Sequence, residues 1–163
     1  MSRIFVGHAA LWGLVDLKST MYAEGCFSRS ISAFQSGMNI PVLLGHTATE
    51  PLAGVGRERR PAGRVLALRQ DATGLEVTGA LEPVDDFQAS QIEKMLRHPL
   101  GLSLGSWSHE TKWMKRIGSV FRISDCLIFE VSISTMPAKP GEFIYFPSTR
   151  IENEPVAMEP NPA

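Results

Sequence analysis

The chain has 163 residues, 44% of them hydrophobic and 20% charged, with 16 basic against 17 acidic side chains. One domain with a core able to fold alone fits that length, and no run approaches the roughly 18 apolar residues of a membrane helix. A net charge of −1 with no basic cluster argues against a nucleic-acid partner, because phosphate neutralisation needs concentrated positive charge.

The densest basic stretch, Arg57-Glu58-Arg59-Arg60, is interrupted by Glu58 and set among Gly and Pro, and reads as a solvated loop. The first residues lack the long apolar segment and cleavage site of a signal peptide. Cys26 and Cys126 alone cannot build a disulfide framework or a zinc cage, so a reducing setting is expected.

In chain order, Ile4 to Trp12 reads as a first strand and Asp16 to Tyr22 as a polar connection. From Glu24 to Ser36 the pattern turns helical, with Phe27, Ile31 and Phe34 at spacings of four and three, and Gly37 marks the end. Ile40 to His46 is a short apolar run that stops at a histidine, followed by a Gly- and Pro-rich loop from Thr47 to Pro61. Gly63 to Leu68 and Leu75 to Leu81 read as strands joined by the turn residues Asp71-Ala72-Thr73-Gly74. Leu75, Val77, Gly79 and Leu81 alternate with polar or small neighbours, as a half-buried strand does.

A second helix is expected from Asp86 to Arg97, preceded by Asp85 and stopped by Pro99. Gly101 to Ser106 is a small-residue segment entering or leaving a strand, His109 to Lys115 an exposed stretch, and Ser119 to Ser134 a long strand region. Within that region Phe129, Val131 and Ile133 are expected on one face, and Glu130, Ser132 and Ser134 on the other. Residues 1–146 form the expected domain; Pro147 to Ala163, rich in Pro, Glu and Asn, is expected to be a flexible tail. The expected fold is mostly β with surrounding helices, a barrel or sandwich of the α+β class.

Hydrolytic chemistry needs a nucleophile, a base and a group that orients the base. Of the four histidines, His8 lies in an apolar strand and reads as a packed, hydrogen-bonded residue. His98 falls at a helix end, where a cation complements the dipole, and His109 in a polar stretch. His46 is different: it closes a rigid apolar strand and opens a loop, at a rim where a base can meet substrate.

Ser103 stands between Gly101 and Gly105, which allow a tight turn and close approach of a substrate; the bland alternative is a glycine-rich strand edge. The Gly-x-Ser-x-Gly pattern is that of the α/β-hydrolase elbow, but its strand–turn–helix context and its order of serine, acid and histidine are missing. Asp125 and Glu130 are the candidate acids. Glu130, between Phe129 and Val131, needs a partner if buried and none if it faces solvent.

A metal centre built on His46, His98 and His109 lacks helix-facing spacing or an HExxH context. Neither cysteine stands in a context that activates a thiolate.

These residues, taken in order, resemble the prohead (capsid maturation) proteases of tailed phages. The resemblance rests on the segments 7–13 and 40–46, on Gly63-Arg64-Val65, on residues 74–79, on Gly101-Leu102-Ser103-Leu104-Gly105 and on residues 129–140, together spanning about residues 4 to 140. The chain departs from the pattern in its long 47–61 loop, and at Ser106-Trp107, where an aromatic followed by a polar residue is expected.

The resemblance implies a serine endopeptidase with the β-barrel of the herpesvirus assemblins. Ser103 is then the nucleophile, His46 the general base, and Glu130, in the Glu-Val-Ser segment, the third member. It implies no cofactor and no metal. The implied partners are scaffolding protein and major capsid protein, with a homo-oligomer expected and no nucleic acid or membrane. The implied setting is the host cytoplasm, inside the prohead. Self-cleavage at the tail is a further expectation. The competing reading is a non-catalytic capsid-assembly module that keeps the fold and binds scaffold.

Overall fold

The structure, a computed structural model, describes residues 2–45, 60–107, 114–135 and 144–147. Its elements are β1 (Arg3–Leu11), β2 (Thr20–Tyr22), α1 (Ser28–Gln35), β3 (Pro41–Leu44), β4 (Gly63–Gln70), β5 (Gly74–Leu81), α2 (Asp86–Met95), β6 (Gly101–Trp107), β7 (Met114–Ile117), β8 (Val120–Ile123) and β9 (Leu127–Ser134). Six strands form one sheet in the order β1-β5-β4-β3-β9-β6, and β2-β8-β7 form a small second sheet. The fold is therefore mostly β with two helices, as the residue pattern implies.

The large sheet curls until its edge strands β1 and β6 pack against each other. Residues 144–145 lie in the seam. Tyr145 exchanges two backbone hydrogen bonds of 2.9 Å with Val6 of β1, and the Ile144 N–H donates to Leu100 O, just before β6, at 2.8 Å. A sheet closed in this way leaves fewer unpaired backbone groups at its edges.

Apolar side chains line the closed interior. Phe5, Phe27, Ile40, Leu75, Val77, Leu81, Ile128, Val131 and Ile133 are all buried there. Burying each Leu, Ile, Val or Phe is worth about 1.5–3 kcal/mol, so this face sets the strand register. α1 lays Phe27, Ile31 and Phe34 on the same core. It ends where the pattern places it: Gly37 takes φ +101° and its N–H donates to Phe34 O at 3.0 Å. α2 starts at Asp85, whose carboxylate accepts the Gln88 N–H at 2.8 Å.

Several expectations from the sequence need correction. α1 begins at Ser28, since residues 24–27 form turns rather than helix. The 16–22 connection contains β2, which pairs in parallel with β8. Of the 109–115 stretch expected to be exposed, Lys115 is exposed and lies in β7; residues 109–113 lie outside the described residues.

The 119–134 region is two strands in two sheets, broken at Ser124-Asp125-Cys126. That break lets the chain leave the small sheet and enter the large one. Strand β5 is half-buried, as its alternation implies: Leu75, Val77, Gly79 and Leu81 are buried, while Glu76 and Thr78 on the other face stay partly exposed. The tail after Pro147 lies outside the described residues.

Candidate active site

Strands β6 and β9 build the site. Their antiparallel register pairs Gly101 with Ser134, Ser103 with Ser132, and Gly105 with Glu130. Paired residues project to one face of a sheet, so these six share a side. The intervening Leu102, Leu104, Val131 and Ile133 turn the other way, into or against the apolar core. Gly101 and Gly105 sit within a regular strand, so the Gly-x-Ser-x-Gly segment makes no turn at Ser103.

The face that carries Ser103 is polar yet shielded. Ser103 is 5% exposed and Glu130 7%, while Ser132 and Ser134 are fully buried. Of the two readings open for Glu130, the structure gives the buried one. Its carboxylate has a described partner in Ser132, whose Oγ donates to Oε1 at 3.4 Å. Burying a carboxylate on a strand is costly unless it is hydrogen-bonded, so Glu130 is held in a built environment.

Ser103 and Glu130 are diagonal neighbours across the ladder, about 7–8 Å apart at Cα. No direct bond joins them among the described residues. The Glu130 carboxylate leans toward Ser132, and so toward the row that holds Ser103.

Gly105 is what allows this. A Cβ placed at residue 105 would lie 2.3 Å from Glu130 Cγ and 2.8 Å from its Cδ, so only a residue without a side chain leaves room for the carboxylate arm. The glycine thus accommodates the acid.

β3 flanks β9 on its other side in parallel, with Leu43 opposite Ser132 and Leu44 opposite Ile133. The following residue, Gly45, donates its N–H to Ile133 O at 2.8 Å and takes φ +74°. His46, the next residue in the chain, lies outside the described residues, as does His109. The second candidate acid, Asp125, precedes β9 and is held by Arg29 through Nε at 3.3 Å and Nη2 at 2.8 Å. It lies outside the paired residues of the β6–β9 ladder.

A β-bulge disturbs the far end of the ladder. Gly105 pairs with Glu130 and Ser106 with Ile128, so Phe129 has no opposite number. Phe129 therefore leaves the Val131 and Ile133 side on which simple alternation places it. Its ring packs on Trp107 with centroids 5.7 Å apart, and both rings are exposed. Nothing in the residue types alone reveals a bulge; the register between two strands is needed to see it.

The remaining histidines and thiols have other roles. His8 Nε2 lies 2.9 Å from Asp71 Oδ2, in keeping with a hydrogen-bonded histidine. Asp71 Oδ1 meanwhile accepts the N–H groups of Thr73 and Gly74. The Gly74 N–H, the His8 ring and the Thr73 N–H hold the Asp71 carboxyl down at about 2, from an ordinary 3.8.

His8 on β1, Asp71 in the β4–β5 turn and Glu76 on β5 bring three potential ligand atoms within 4.8 Å of one another. Glu76 is already engaged there by Arg69 at 2.9 Å. His98 follows the end of α2, its backbone N–H donating to Met95 O. Cys26 and Cys126 are both buried, and the neighbouring Cys126 thiol together with burial pushes the Cys26 thiol up, away from nucleophilic use.

The fold can be matched to known structures. The chain is similar to the protease of varicella-zoster virus, with a TM-score of 0.50 and 14% identity over 91% of this chain and 65% of that one. It is also similar to KSHV protease in complex with a hexapeptide phosphonate inhibitor, with a TM-score of 0.48 and 16% identity over 90% of this chain and 65% of that one. The likeness to the varicella-zoster virus enzyme gives the fold, that of the herpesvirus proteases, and the chain spans 65% of that protein's length.

Residues 1–155 match the family model of the caudovirus prohead serine protease, and the chain belongs to that family. No curated protein is significantly similar to it. Among the described residues, no helix is long and apolar enough to cross a membrane.

Proposed function

We propose that the chain is a serine endopeptidase of prohead maturation that cuts segments of scaffolding and major capsid protein. Ser103 is the nucleophile, His46 the general base, and Glu130 the acid that orients the base and stabilises its charged form. The observation that supports this most is the placement of Ser103 and Glu130: one shielded face, one diagonal step apart, with the carboxylate leaning toward the serine's row. A serine and a carboxylate separated in this way need a proton carrier between them. His46, two residues beyond the end of β3 at Leu44, is the histidine the reading assigns to that role.

The chemistry follows. His46 takes the proton from Ser103 as Oγ bonds to the scissile carbonyl carbon. The imidazolium, stabilised by Glu130, returns that proton to the amine nitrogen as the C–N bond breaks. Water, deprotonated by His46, then releases the acyl group from Ser103. General-base help is worth about 10²–10⁴ in rate, so loss of either Ser103 or His46 leaves little turnover. The family setting supports action inside the prohead in the host cytoplasm, on the scaffold and on the chain's own tail, and as a homo-oligomer.

The test is co-expression of wild type or Ser103→Ala with the matching capsid and scaffolding proteins, followed by intact mass spectrometry. Trimming by wild type and none by the variant is the expected result. Identical fragments from both would remove Ser103 from its role. Assembly without any fragments would favour the non-catalytic module.

A further inference from the structure

We propose that Trp107 and Phe129 form a specificity subsite that receives an apolar side chain of the cleaved peptide, about four residues from the cut bond. The proposal rests on the protease reading above and names what its substrate must carry.

Alternation along β6 puts Ser103, Gly105 and Trp107 on one face. Phe129 joins them because of the bulge. The position a Cβ would take at residue 105 lies 2.7 Å from Phe129 Cε2 and 2.3 Å from Glu130 Cγ, so both side chains stand over Gly105. The rings are tilted by 52° with centroids 5.7 Å apart, which fixes each against the other.

They are nonetheless 57% and 43% exposed, next to a core that takes up Ile128 and Val131 completely. Two rigid aromatic rings, mutually ordered and open to solvent beside a reactive face, form a surface that an apolar group can cover at little entropic cost.

The distance sets the position. Trp107 lies four residue steps along β6 from Ser103, a span of about 13 Å at 3.3 Å per residue. An extended peptide held at Ser103 covers the same span in about four residues. Ser103 and Glu130 on this face are polar and buried, so among the described residues the ring pair is the first large apolar surface a bound peptide meets along β6.

The experiment uses the whole chain and two readouts. The rate of labelling by a small fluorophosphonate reports the reactive serine without a peptide. Mass-spectrometric cleavage profiling of a mixed library of 14-residue peptides, roughly the length needed to span the site on both sides, reports preference. Wild type is expected to label, and to enrich apolar residues at one position three to five residues from the cut bond.

Trp107→Ala and Phe129→Ala are expected to label at the wild-type rate, lose that enrichment, and cut the enriched peptides about tenfold more slowly. Trp107→Phe should restore part of the preference. Unchanged enrichment in both alanine variants would overturn the subsite, and so would loss of labelling in step with cleavage, since the rings would then serve Glu130 instead. If wild type neither labels nor cuts, the protease reading itself fails, and the subsite with it.

Discussion

Glu130 lies across the β6–β9 ladder from Gly105 and occupies the volume a side chain at residue 105 would need: a Cβ there would come within 2.3 Å of Glu130 Cγ. The acid and the glycine are therefore one device, in which the absence of a side chain on β6 lets a carboxylate arm fold over Gly105, one diagonal step from Ser103. Gly105→Ala is expected to displace Glu130 and cost about 1–3 kcal/mol in stability by overpacking. Proteolytic activity should fall much further than the melting temperature suggests. Scaffold cleavage by the purified variant, set beside its thermal melt, checks this.

Glu130→Gln keeps the shape of the side chain and removes its charge. If the carboxylate stabilises a histidine cation, kcat should drop by about 10²–10⁴ while KM changes little. Asp125→Asn, which breaks an ion pair with Arg29 outside the β6–β9 ladder, should change kcat by less than about threefold. Steady-state kinetics on one peptide substrate distinguishes the two acids.

Ser30 fastens α1 to the strand that carries Glu130. It is fully buried, its Oγ donates to Cys126 O at 2.9 Å, and it accepts the Ile128 N–H at 3.0 Å. Ser30→Ala leaves both backbone groups without that partner, at about 1–3 kcal/mol for each buried group so orphaned. At about 2–4 °C per kcal/mol for a chain of this size, the melting temperature should fall by about 4–24 °C, as calorimetry would read.

The β4–β5 turn should respond to acid through Asp71. Its carboxyl is held at about 2, chiefly by the Gly74 N–H and then by His8 and the Thr73 N–H. A carboxyl depressed in the folded state stabilises the fold above its ordinary value of 3.8, and that contribution is lost as pH falls toward 2. Wild type should therefore lose stability across that window more steeply than Asp71→Asn, which is already weakened and insensitive. Urea unfolding at stepped pH between 5 and 2 measures the difference.

Much of this architecture is legible in the residues because local chemistry carries it. Asp85 ahead of α2, Gly37 after α1 and the Asp71–Gly74 turn each act within a few positions, so a reader of the sequence finds them. The small sheet is not legible: β2 has three residues and pairs in parallel with β8, some 100 positions away. The bulge at Phe129 is hidden for the same reason, since it exists only in the register between two strands.

The site divides along the same line. Ser103 and Glu130 can be nominated from pattern and resemblance, but Gly105 as the seat of the Glu130 side chain and Ser132 as its donor need the ladder itself. The glycines around Ser103 suggest a turn that the strand does not make.

The most direct measurement is peptide mapping after treatment with diisopropyl fluorophosphate. The account predicts a single phosphoryl adduct on Ser103, absent in Ser103→Ala and formed far more slowly in His46→Ala and Glu130→Gln. An adduct on another serine, or labelling of Ser103 that is indifferent to both His46 and Glu130, would contradict it.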